Sequence, residues 1–117
     1  MKFVYYFCFS ILLILPLTGY ADGNALLTKC SSAISIQDND GNYDDLLGAG
    51  ICIGLVQGVS EMLTDGNTWG VCLHDGVKKS QMIRVVTQYL RDNPKYLHYS
   101  ETILVLIAFE DAWPCQK

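Results

Sequence analysis

The chain has 117 residues, with eight Lys plus Arg set against twelve Asp plus Glu, two His and five Cys. That length allows one domain. A net charge of -4 with no basic stripe excludes nucleic acid and anionic membrane surfaces as partners. Half of the residues are hydrophobic, but the figure is inflated by the first residues and does not describe a membrane domain.

Lys2 precedes an almost unbroken apolar run over residues 3–17. Pro16 interrupts the run, and Gly19-Tyr20-Ala21 then puts small residues at the -3 and -1 positions. This is the pattern of a cleavable signal peptide, residues 1–21, cut after Ala21. The run is short for a membrane span of about 20 residues. A lipoprotein is not indicated, because Cys8 lies inside the run and Cys30 follows Lys29. The mature domain is then 22–117, and losing Lys2 takes its charge from -4 to -5. So small a domain builds a modest core and calls for an added staple.

Asp22-Gly23-Asn24 offers N-caps for a short first helix through Ala25, Leu26, Leu27 and Cys30. The polar segment 37–45 reads as a loop. Its alternating Asp38, Asp40 and Asn42 hint at calcium, but an EF-hand loop needs Gly at position six and Glu at position twelve. Counted from Asp38, those positions hold Tyr43 and Ala49, so no metal is expected. Asp44 and Asp45 suit the positive end of a second helix over 46–63. There Leu47, Ile51, Leu55, Val59 and Met62 make one apolar stripe. Gly50, Gly54 and Gly58 make a second row, although glycine costs about 1 kcal/mol against Ala inside a helix. Such a row points to close approach by another backbone, within the domain or across a dimer. Asp65-Gly66-Asn67 supplies the turn that follows.

A third helix is expected from near Ser80, with Met82, Val85, Val86, Tyr89 and Leu90 inward and Arg84, Thr87, Gln88 and Arg91 outward. Asn93-Pro94 stops it. Ser100 is placed to cap the fourth helix and Glu101 suits its first turn. Residues 103–109 are apolar on every side, as in a central buried helix, and Trp113-Pro114 ends it. No alternating strand pattern competes. The expected fold class is all-α, a small bundle of about four helices stabilised by two disulfides.

Signal cleavage removes Cys8 and leaves Cys30, Cys52, Cys72 and Cys115, for which three pairings are formally possible. A short connection makes the third and fourth helices antiparallel neighbours. Cys115, just past the fourth, then lies near Cys72, just before the third. The expected bonds are Cys72–Cys115 and Cys30–Cys52, closing loops of roughly 40 and 20 residues. No close Cys-x-x-Cys pair is present, which speaks against zinc, and no cofactor is implied.

Neither His74 nor His98 belongs to a Ser-His-Asp or Cys-His motif, and the adjacent Glu110 and Asp111 diverge on a helix. A small exported domain without such a set is expected to bind, not to be an enzyme. The candidate surface is the segment 92–99: Asp92, Asn93, Pro94, Lys95, Tyr96, Leu97, His98 and Tyr99. It concentrates aromatics and both signs of charge, the chemistry of interfaces. The competing reading has Tyr96 and Leu97 packing onto the helix ends. Trp69, near Gly66 and Gly70, is either a core plug beside Cys72 or a second piece of interface.

Several of these residues together carry a resemblance. Asp22-Gly23-Asn24-Ala25-Leu26-Leu27 leads to Cys30, and Cys52-Ile53-Gly54 is followed by Gly58. Val85-Val86-Thr87-Gln88-Tyr89-Leu90 leads to Pro94, and the chain closes on Pro114-Cys115. The pattern resembles the Tai/Rap family of type VI secretion amidase immunity proteins over essentially the whole mature chain. The acidic segment 37–45 departs from it. The resemblance implies an all-helical periplasmic protein, often a homodimer, that protects a bacterium from cell-wall amidases. The implied partner is a papain-like Cys-His peptidoglycan amidase effector, occluded by a protruding loop for which 92–99 is the match. Two copies of each chain would then form a heterotetramer. The alternative from another class is a periplasmic chaperone or acid-stress protein, which would expose apolar surface on acidification.

Overall fold

The computed structural model describes residues 1–2, 21–40, 45–63 and 69–116. The apolar run of the expected leader with Cys8, and parts of two expected loops (41–44 and 64–68), lie outside the described residues. Among the described residues from 21 onward, four helices follow in order: α1 (Gly23–Gln37), α2 (Leu46–Met62), α3 (Lys79–Asp92) and α4 (Glu101–Ala112), with a 3-10 turn (Pro94–Tyr96) between the last two. Among the described residues the extended pairings are two isolated bridges, Asp22 with Ser100 and Val71 with Pro114. The fold is all-α.

Asp22 caps α1, its carboxylate accepting from the Ala25 N–H at 3.0 Å. The helix runs well past the short stretch expected. Leu26, Cys30 and Ala33 fall at i, i+4 and i+7, and all three are fully buried. Burial therefore continues beyond Cys30, and Gln37 is the last helical residue, not the first of a loop. Asp38, just beyond, forms an ion pair with Arg84 of α3.

Of the apolar stripe expected on α2, Val59 is buried and Leu55 packs against the core, but Leu47, Ile51 and Met62 do not face it. Leu47 is 77% exposed, Ile51 41% and Met62 49%, whereas Ala49, Cys52, Val56 and Val59 are buried. The cause is the Cys30–Cys52 disulfide, which holds the Cys52 side against α1. With about 100° between successive side chains, Ile51 and Met62 are then carried outward. Asp45 caps this helix by accepting from the Gly48 N–H at 2.7 Å.

On α3 the buried side is Met82, Ile83, Val86, Thr87 and Leu90, with Val85 and Tyr89 half-buried. Thr87, expected outside, is fully buried. Its hydroxyl donates to the Ile83 carbonyl at 2.7 Å, so the polar atom enters the core already satisfied. α4 buries Leu104, Val105, Leu106, Ala108 and Phe109, but Ile103 is exposed and the helix at the centre of the packing is α1, not the expected α4. Ser100 stands at its N-cap without a side-chain capping bond. Glu101 in the first turn is buried and pairs with Lys29 of α1 at 2.7 Å. A carboxylate there also meets the positive end of the α4 dipole.

Both expected disulfides are present, spanning 22 and 43 residues. Main-chain bonds flank the second: the Cys72 N–H donates to Trp113 and the Cys115 N–H to Gly70, at 2.8 and 2.9 Å. Trp69 is 52% exposed and is not the plug beside it. Trp113 takes that part, meeting Phe109 edge-on with centroids 5.6 Å apart.

Replacing both cysteines of either bond with Ala should cost about 2–4 kcal/mol in urea unfolding. Loop length alone favours the longer bond by only about 0.6 kcal/mol. Cys30 and Cys52 are fully buried, so their loss also leaves a hole in the core. Cys30→Ala with Cys52→Ala should therefore be the costlier pair, and the reverse order would refute this account.

Candidate functional site

The segment 92–99 is organised by its own backbone. Asn93 ends α3, its main-chain and side-chain N–H groups both donating to the Tyr89 carbonyl. Pro94 cannot extend the helix and instead opens the 3-10 turn. The N–H groups of Tyr96, Leu97 and Tyr99 then donate to the carbonyls of Asn93, Pro94 and Tyr96, at 3.1, 3.3 and 3.0 Å. From the other side, the Gly23 N–H donates to the Leu97 carbonyl at 2.8 Å. Asp92 is held by the Gln88 amide at 2.9 Å.

On this frame the side chains form one aromatic group. The Tyr96 and Tyr99 rings stack with centroids 5.7 Å apart and planes 11° apart. His98 lies 4.4 Å from Tyr99, and the Lys95 ammonium sits 4.8 Å over the Tyr96 ring, a cation–π contact. Tyr96 and Leu97 are half-buried and pack against the core. Asp92, Pro94, Lys95, His98 and Tyr99 are exposed. Tyr96 and Leu97 thus pack onto the helix ends, as one reading of this loop has it, and the other side chains are displayed to solvent.

Tyr89, whose carbonyl accepts from Asn93, stands beside this segment and is half-buried. Burial first, then Tyr96 and Asp111, push its phenol above the ordinary value of 10.0. It stays a neutral donor at physiological pH.

A second surface is the outward side of α2. Leu46, Leu47, Ile51 and Met62 are exposed there, and so are Gly50, Gly54 and Gly58. A methyl group added at any of the three glycines would meet nothing within 4 Å. The row therefore does not serve packing inside the domain. A cavity of about 300 Å³ opens between the end of α2 and the start of α3, lined by Ser60, Glu61, His74, Asp75 and Lys79 over Leu73, Val77 and Met82. The Ser60 hydroxyl is committed to the Gln57 carbonyl at 2.7 Å. Among the described residues no three His, Cys, Asp or Glu side chains are grouped to hold a metal ion.

A helical, twice-crosslinked domain that displays a braced aromatic loop has the layout of a binding protein. The family model of the Rap1a immunity proteins matches residues 22–115, and the chain belongs to that family. No curated protein and no solved structure matches it. Membership implies an immunity role against a secreted effector.

The raised Tyr89 pKa has a defined sign. The folded state holds this proton more tightly than the unfolded chain, so the associated stability is intact below about pH 10 and is lost as pH rises through the folded value. Tyr89→Phe should flatten that alkaline fall in melting temperature. An unchanged profile would remove Tyr89 from the account.

Proposed function

We propose that this immunity protein acts in the periplasm, where it occludes the active-site cleft of a type VI secreted peptidoglycan amidase with the loop 92–99. The observation that carries the reading is the braced aromatic loop on a member of an immunity family. A cleft that holds a Cys-His pair is closed to substrate by any rigid protrusion that fits it. Here the backbone of the protrusion is already hydrogen-bonded, so little ordering entropy is lost on binding. His98 and Tyr99 offer contact area, and Lys95 and Asp92 supply charges of both signs at the rim. Disulfides persist in an oxidising compartment, in keeping with export and cleavage after Ala21. Mass spectrometry of the exported chain should find Asp22 as its first residue.

The same reading includes a second copy of the chain. The outward side of α2 is apolar, exposed and stripped of side chains at Gly50, Gly54 and Gly58. A two-fold axis through Gly54 would set Gly50 of one copy opposite Gly58 of the other, a self-complementary contact. The loops would stay free, and two effectors could be held by one dimer.

Mixing the purified chain with the amidase made alongside it should give a co-eluting complex and stoichiometric loss of peptidoglycan cleavage. Separate elution would end the amidase reading. His98→Ala with Tyr99→Ala should weaken that complex by at least about 2 kcal/mol, the scale of interface hot spots, without lowering the melting temperature. Gly54→Arg should convert dimer to monomer in sedimentation while leaving helicity unchanged. A parent chain that sediments as a monomer would remove the dimer.

A further inference from the structure

The hydrogen bonds that shape residues 93–99 are mostly internal to that segment or reach back to α3. Two main-chain bonds tie the segment and the adjoining start of α4 to the far end of the chain. The Gly23 N–H donates to the Leu97 carbonyl at 2.8 Å, and the Glu101 N–H donates to the Ala21 carbonyl at 3.3 Å. They flank the Asp22–Ser100 bridge. Gly23 is buried, and a Cβ placed on it would lie 2.8 Å from the Leu97 Cα and 2.5 Å from the Leu104 Cδ1. Carbon atoms out of bonding contact keep about 3.5–4.0 Å apart. The tip of Leu104 can swing aside, but the Leu97 Cα moves only if the loop moves with it.

We propose that Asp22 and Gly23 are positioning residues of the recognition loop: they seat Leu97 and thereby set where His98 and Tyr99 stand. The inference rests on the reading of 92–99 as the effector-binding loop. Asp22 contributes by capping α1, which fixes the direction in which the Gly23 N–H points. Export processing makes this seat decisive. When water hydrolyses the Ala21–Asp22 peptide bond, Ala21 departs as a carboxylate with the leader, and Asp22 keeps the nitrogen as an ammonium. The carbonyl that accepted from Glu101 leaves with Ala21. Of the two bonds, the processed chain retains Gly23 to Leu97.

The test uses the chain beginning at Asp22 and two variants of it. Gly23→Ala adds the obstructing methyl. A second variant replaces the amide between Asp22 and Gly23 with an ester, deleting the donor and adding no side chain; it is made by joining a synthetic 22–29 segment at Cys30. Both should keep parental helicity and both disulfides, shift the ring-proton resonances of Tyr96 and Tyr99, and weaken amidase binding by about tenfold or more. If Gly23→Ala does not fold, the ester variant decides alone. Unchanged ring resonances, or parental affinity with shifted resonances, would overturn the proposal. Shifted resonances in variants of a parent that binds no amidase would leave the seat standing and remove 92–99 as the recognition loop.

Discussion

The bond between Cys30 and Cys52 joins the middle of α1 to the middle of α2 and fixes how α2 is turned about its own axis. With Cys52 held inward, Ala49, Val56 and Val59 follow it into the core. The glycine row and Leu47, Ile51 and Met62 come out on the other side. A helix with four glycines is weak in isolation. Here the crosslink and the packing on α1 hold it, which frees its outer side to be shaped for something other than its own stability. The bond needs an oxidising compartment, so this division of α2 into an inner and an outer side depends on where the chain folds.

The second crosslink, Cys72–Cys115, works outside the helices. It closes the tail after α4 onto the strand-like residues 70–72, with main-chain bonds on both flanks. The Lys29–Glu101 pair fastens the other end of α4 to α1. Fixed at both ends, α4 begins directly after the loop 92–99, whose hydrogen bonds run to α3 and α1. The loop's anchors, Tyr96 and Leu97, rest on the same core. A loop supported in this way keeps its shape, whereas one that must be ordered on contact gives up affinity.

The architecture was legible in the chain because its signals were local: turn residues between periodic stretches, and four cysteines whose pairing followed from helix order. The orientation of α2 was not legible. Its residues are apolar or glycine nearly all round, so several stripes fit a helical period equally well, and only the cross-chain bond to Cys30 selects among them. Thr87 was misplaced for a related reason. A hydroxyl counts as polar in a pattern, yet inside a helix it satisfies itself on the carbonyl four residues back. The loop was found from composition alone, as a density of aromatics beside a proline. Its division into anchors and displayed groups, and its contact with Gly23, depend on parts of the chain that sequence proximity does not bring together.

The position of α4 also separates the two ends of the region 22–115. Asp22 lies against Ser100 at the start of that helix, and Pro114 lies against Val71 just past its finish. At 1.5 Å per residue its twelve residues span about 18 Å. A protein fused or tethered after Cys115 is therefore kept a helix length away from the aromatic loop, whereas one joined ahead of Asp22 begins beside it. A probe, affinity tag or solid support that must leave the aromatic loop uncovered belongs on the carboxyl side.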